Sequence, residues 1–123
     1  MNIGKAGEKL DPELYNSVAQ EAAKKIAAGG DRNKPTQLRK FYDEIILWDN
    51  KVALKPEKFD EYLPFIRMLN AKVAYAEGRK LVDRNFVDLL HNGLKQVVCA
   101  ETLHRFKLFM EAFMGFYKQE RPN

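Results

Sequence analysis

One cysteine in 123 residues excludes an intramolecular disulfide framework and any multi-cysteine zinc site. That residue, Cys99, lies in the apolar run Val97-Val98-Cys99-Ala100, a setting that predicts a buried, inert thiol rather than a nucleophile. No apolar run is long enough to cross a bilayer, and the N-terminal stretch has no signal-peptide core. A reducing, cytoplasmic setting without membrane contact is therefore expected. No segment alternates apolar and polar residues with period two, and no internal repeat is evident, which argues against sheet and solenoid architectures. Also missing are a glycine-rich phosphate loop, a Gly-x-Ser-x-Gly turn and a Cys–His pair at helical spacing. These gaps remove the common motifs of nucleotide hydrolysis and nucleophilic catalysis.

What the chain does have is helical periodicity. Residues 1–10 carry two glycines and no periodic apolar pattern, which predicts a flexible N-terminal tail. Asp11-Pro12-Glu13 is a helix-start signal, an acid ahead of a proline and a second acid in the first turn. The helix should run to about Ala28 with Leu14, Val18, Ala22 and Ile26 inward, and end at Gly29-Gly30. After a polar, basic linker over 31–35, Thr36 is expected to cap a second helix, with Leu38, Phe41, Tyr42, Ile45, Asp49 and Val52 on one side. Pro56 opens a third, with Phe59, Tyr62, Ile66, Leu69 and Val73 inward, Gly78 at its end, and a kink or break at Pro64. A fourth starts near Asp83 with Phe86, Leu89, Leu90, Leu94 and Val97 inward. The last starts at Glu101 or Thr102, burying Leu103, Phe106, Met110, Phe113, Met114 and Tyr117. The expected fold is all-α, a compact bundle of about five helices over 11–119, followed by a short C-terminal tail at 120–123.

The chemistry-bearing constellations are few. Glu101-Thr102-Leu103-His104 matches the Glu-x-x-His element of di-iron bundles, but such a site needs that element twice plus two further glutamates. The nearest second copy, Asp88-Leu89-Leu90-His91, has aspartate and lies one helix earlier. Solvated surface histidines account for the same residues, so no catalytic residue, metal site or cofactor is expected. The cations are better grouped. Arg32, Lys34, Arg39 and Lys40, with Gln37 among them, concentrate at a helix start, where unpaired N–H groups suit phosphate oxygens. On the third helix Met68, Lys72, Tyr75 and Arg79 phase onto one line opposite Ile66 and Val73, with Arg67 on a flank. Two cations with an aromatic between them fit a backbone-tracking surface, and equally fit a helix contact with solvated cations at its edge. A net charge of +4 is compatible with a polyanionic partner without requiring one. The last helix is apolar beyond one stripe, since Phe109 and Phe116 flank its inward face. That breadth predicts a central position or a patch for a neighbouring subunit.

Three segments, in order, resemble one family. Thr36-Gln37-Leu38-Arg39-Lys40-Phe41-Tyr42 is similar to its early Gln/Lys-Leu/Ile-Arg helix start. Residues 69–79, LNAKVAYAEGR, resemble its central segment ending Tyr-x-x-Gly-Arg. Residues 101–118, ETLHRFKLFMEAFMGFYK, resemble its closing helix. The family is the small subunit of type III-A CRISPR (Csm) effector complexes; Gly115, where relatives often carry alanine, is a departure. The resemblance implies a non-catalytic helical bundle for antiviral defence, its copies stacked beside a filament of backbone subunits. Its implied partners are guide RNA and target RNA, held through phosphate and sugar, the backbone and large subunits, and copies of itself. The family's cations match Arg39, Lys40 and Arg79; phasing adds Arg67 and Lys72, and the helix start adds Lys34 and Gln37. A helical protein-interaction subunit without RNA contact is the alternative. A complex programmed by any guide must leave base reading to pairing, so protein holding the backbone needs scattered cations rather than a specific pocket.

Overall fold

The computed structural model describes residues 1–122. Its first helical turn sets the phase of the whole first helix. The Asp11 carboxylate accepts a hydrogen bond from the Glu13 N–H at 2.9 Å, the expected start signal. The turn it opens is π-helical, Leu14–Val18, with the Val18 N–H reaching back to the Glu13 carbonyl. A π turn holds one residue more than an α turn. In the α-helix that continues it, α1 (Ala19–Ala27), the inward residues are therefore Ala19, Ala23 and Ile26, and the expected Val18 and Ala22 are half-buried. Gly30 then takes φ +66°, as the glycine stop requires.

The second helix, α2 (Pro35–Leu54), buries all six residues that the 3.6-residue period put inward: Leu38, Phe41, Tyr42, Ile45, Asp49 and Val52. Its start is two positions earlier than expected, with the cap at Lys34 instead of Thr36. Lys34 is the extended residue ahead of it and Pro35 occupies the first helical position, where a missing N–H costs nothing. A 3₁₀ turn at Pro56–Lys58 leads into α3 (Phe59–Arg67), and α4 (Leu69–Gly78) comes next. Pro64 is accommodated inside α3, and the break comes one turn later, at Met68. With φ −64° and ψ −16°, Met68 has 3₁₀-like geometry, so the α-helical run is interrupted without the chain leaving right-handed helical space.

Asp83 caps α5 (Arg84–Gln96), its carboxylate accepting from the Phe86 N–H at 3.1 Å. Asn92-Gly93, a dipeptide common in turns, lies inside this helix because the α5–α6 crossing demands it: a Cβ at Gly93 would come within 2.1 Å of the Phe106 ring. The last helix, α6 (Ala100–Glu120), packs most extensively on α1 and α2. Phe106, Phe109, Met110 and Phe113 are all fully buried, so its broad apolar surface is the centre of the bundle rather than an outward patch. The architecture is the all-α bundle expected, with six α-helices among the described residues because the third is divided.

Both predicted tails are tied to the bundle in this structure. Ile3 is completely buried and its N–H donates to Gln96 Oε1 at 2.9 Å. The buried Arg105 guanidinium donates to the carbonyls of Ile3, Lys5 and Glu8 at 3.2, 2.9 and 2.8 Å, and Glu101 pairs with it at 3.3 Å. A guanidinium out of water needs such acceptors, and the N-terminal segment supplies them. The segment is thus packed where a free tail was expected. At the other end Arg121 Nη1 donates to the carbonyls of Arg32 and Asn33 at 2.7 and 3.3 Å. The last position of the predicted C-terminal tail, Asn123, lies outside the described residues.

Candidate nucleic-acid interface

The linker over 31–35, read as polar and basic, contains a buried asparagine bonded through both backbone and side chain. Asn33 is fully buried with φ +61°. Its backbone N–H donates to the Leu81 carbonyl at 3.0 Å, its Nδ2 to the Ile26 carbonyl at 3.0 Å, and its Oδ1 accepts from the Asp83 N–H at 2.9 Å. The Tyr117 hydroxyl donates to its carbonyl. Asparagine is among the few residues that tolerate the left-handed region. This knot fixes the start of α2 against the end of α6.

The consequence is a cleft of about 570 Å³. Pro35, Thr36, Arg39, Lys40 and Asp43 line it from α2, and Met114, Tyr117 and Lys118 from α6. Lys34 lies beside it, lining a smaller recess with Pro35, Thr36, Arg121 and Pro122. Lys34, Arg39 and Lys40 are exposed and Gln37 is half-buried. Arg39 Nε is 3.6 Å from Asp43 Oδ1 on the same helix face, too long for a good hydrogen bond. Among the described residues neither Lys34 nor Lys40 has an ion-pair partner. Burial pushes the Tyr117 phenol above its ordinary range, while its hydrogen bond with Arg121 and that residue's charge pull the other way. It therefore lines the cleft as a neutral, apolar-faced wall. Of the predicted residues, Arg39 and Lys40 line the cleft and Lys34 the adjoining recess, while Gln37 lines neither; Lys118, Arg121 and Asp43, which sequence reasoning missed, join them. Lys118 falls one turn after the inward-facing Met114, the available hint that it borders the same surface.

The other predicted cations are elsewhere and are already engaged. Lys72 Nζ reaches both oxygens of Glu44 on α2, at 2.9 and 3.0 Å. Arg67 Nη2 donates to the Val97 carbonyl at 3.1 Å, tying α3 to the α5–α6 junction. Arg79 stands over the Tyr75 ring, 5.9 Å from its centroid, and Tyr75 itself is 68% exposed. The expected line of Met68, Lys72, Tyr75 and Arg79 is on the surface, as phasing put it, but it is interrupted by these pairings.

The residues considered for catalysis do not converge. Glu101 accepts from the Gly7 N–H and pairs with Arg105, whereas His104 Nδ1 lies 3.0 Å from Asp49 Oδ2 across the α2–α6 contact. That pairing accounts for Asp49, the polar intrusion on the inward face of α2. No group of three or more His, Cys, Asp or Glu side chains is placed to hold a metal among the described residues. Cys99 is half-buried rather than buried, and stands ahead of α6 as its cap. Burial works to raise its thiol pKa, but hydrogen bonds from the Thr102 hydroxyl and the backbone N–H groups of Thr102 and Glu101 outweigh it and leave it lowered. No helix is long and apolar enough to cross a membrane among the described residues.

Comparison with known proteins gives a consistent result. Residues 9–123 match the family model described as Csm2 Type III-A. Over 66 residues the chain is 30% identical to the CRISPR system Cms protein Csm2 of Streptococcus thermophilus, covering 52% of this chain and 54% of that protein. The chain thus spans about half the length of the curated relative it matches. No solved structure matches it.

Proposed function

The chain belongs to the Csm2 family, the small subunit of type III-A CRISPR effector complexes, and from that premise we propose that it is a non-catalytic, RNA-holding subunit. It binds guide and target RNA through phosphate and sugar, independently of sequence, and stacks with its own copies along the backbone subunits, beside the large subunit, in the cytoplasm. The observation that carries this reading is the cationic cleft at the start of α2, where Lys34 and Lys40 stand exposed and without ion-pair partners among the described residues. Arg39, Gln37, Arg67, Lys72 and Arg79 complete the proposed contact set. Such a surface suits a ribose–phosphate chain, because each phosphate contact adds affinity without reading a base. A few contacts per copy give weak binding that stacked copies raise by avidity. The non-catalytic part is supported by the separate engagements of Glu101, with Gly7 and Arg105, and of His104, with Asp49.

The experiment is replacement of Arg39, Lys40 and Arg79 by alanine in the assembled effector complex, with RNA affinity measured against salt for several unrelated guides. Affinity should fall about equally for every guide. The log–log salt slope should flatten by about 0.7 for each single-strand phosphate contact removed. Unchanged affinity and slope would remove these residues from the interface.

A second reading, a helical protein-interaction subunit without RNA contact, has its own observation. Leu47, Phe65 and Met68 are 49%, 54% and 47% exposed, and the Phe65 ring is stacked 6.1 Å from that of Trp48. Large apolar side chains left in water on neighbouring helices suit a contact surface. This reading gains if partner subunits co-purify with the chain while RNA cross-links to it are absent.

A further inference from the structure

The cleft between α2 and α6 has one carboxylate among its cations, and we propose that Asp43 accepts a hydrogen bond from a ribose 2′-hydroxyl, so that the cleft holds one ribonucleotide unit and selects RNA over DNA. This rests on the RNA-binding reading of the cleft and deepens it.

The volume, about 570 Å³, is within the range of roughly 300–1,000 Å³ typical of small-ligand sites. Arg39 and Lys40 on one wall and Lys118 on the other draw an anion to the rim. Asp43 shares the α2 wall with Arg39 and Lys40, one turn further along the helix, so a phosphate at that end of the cleft meets a like charge. The group facing Asp43 must therefore be a neutral donor. Asp43 has acceptor capacity to spare: its carboxylate is 60% exposed, and Arg39 comes no closer than 3.6 Å, leaving most of its lone pairs free. A nucleic acid offers two kinds of neutral donor. Base N–H groups change from one nucleotide to the next and are occupied when guide and target pair. The 2′-hydroxyl is present on every unit of RNA and absent from DNA. At a site that accepts any sequence, it is the donor on which a carboxylate can rely. Met114 and Tyr117 supply the apolar floor against which the sugar face rests.

The test uses the full chain, with single-stranded oligouridylate, its deoxy counterpart and its 2′-O-methyl counterpart at one low ionic strength. The natural chain should bind the ribo-oligomer about tenfold more tightly than the deoxy one, about the effect of one hydrogen bond to a charged group. The 2′-O-methyl oligomer, which cannot donate, should behave as DNA. Asp43→Ala removes a negative charge and the acceptor together, so DNA affinity should rise slightly while RNA affinity falls, and the RNA-to-DNA ratio drops toward one. Asp43→Asn, which keeps a carbonyl oxygen in place, should retain part of the preference. Both affinities rising in parallel in Asp43→Ala, with the ratio intact, overturns the assignment and leaves RNA binding standing. No RNA binding by the natural chain overturns both. Asp43 is exposed on the helix surface, and an unchanged thermal melting profile separates these outcomes from misfolding.

Discussion

The two cationic regions look alike as sequence and differ as surfaces. At the start of α2, Lys34 and Lys40 have no ion-pair partner among the described residues and stand beside a cleft built by two helices. Along α4 and its approach, every predicted cation has a protein partner already: Lys72 has Glu44, Arg67 has the Val97 carbonyl, and Arg79 has the Tyr75 ring. A cation that must leave a partner to meet a phosphate returns only the difference between the two interactions, whereas a free one returns the whole. Counting lysines and arginines therefore overstates the α4 region. The difference teaches that the partner, rather than the charge, decides which cation is available.

The largest effect should come from taking apart the region that has the cleft. Asn33→Ala removes the hydrogen bonds that Nδ2 and Oδ1 make to the Ile26 carbonyl and the Asp83 N–H, and leaves alanine at φ +61°. Losing satisfied partners in the interior and straining a left-handed position should together cost about 3 kcal/mol. Urea unfolding measures this as a lower midpoint at constant slope. Asn33→Gly relieves the backbone strain and should recover part of the loss. If the comparison is sound, RNA affinity falls with Asn33→Ala even where the protein is still folded, because the start of α2 loses its side-chain anchors to α1 and to the α4–α5 loop.

A smaller effect should come from releasing a cation in the other region. Glu44→Gln deprives Lys72 of its carboxylate, which it contacts at 2.9 Å. The pair is partly exposed, and exposed pairs contribute about 0.2–1 kcal/mol. RNA affinity in a filter-binding titration should therefore rise, by at most about fivefold. No rise would mean that the α4 line does not face the RNA, and the contrast between the regions would become absolute.

How far the sequence could be read depends on the same division between local and distant causes. The six inward positions of α2 were legible because one uninterrupted 3.6-residue period governs them, and Asp83 was legible because a cap acts on its own helix. Val18 and Ala22 were misplaced by a single π turn, which shifts phase without leaving a compositional mark. Ile3 was read as part of a tail because its binding groups, Gln96 and Arg105, come from the far end of the chain. The site divides likewise. Lys34, Arg39 and Lys40 crowd one helix start and could be grouped by eye. Asp43 follows Arg39 by one helical turn, whereas Lys118 joins them only because Asn33 ties the start of α2 to α1, the α4–α5 loop and α6, and no spacing rule expresses that. The engagements of Lys72 and Arg67 are also long-range, so a periodic line of cations could not reveal that they were occupied.

The smallest effect should separate two roles for Tyr75, the exposed aromatic of the α4 line. A ring in this position could stack on an unpaired base, and losing such stacking costs about 1–3 kcal/mol, or roughly fivefold to more than a hundredfold in affinity. It could instead hold Arg79 in place, and an exposed cation–π contact contributes only about 0.5–1 kcal/mol. The second role fits a surface that leaves bases to the guide, and it predicts about a twofold to fivefold loss in Tyr75→Ala. It also predicts that Tyr75→Phe is silent. A double-mutant cycle decides between them. If Tyr75 acts through Arg79, Tyr75→Ala should change RNA affinity no further once Arg79→Ala is present. A full additional loss in that background would mean that the ring itself meets the nucleic acid, and the α4 line would then contribute through its aromatic where its cations are held.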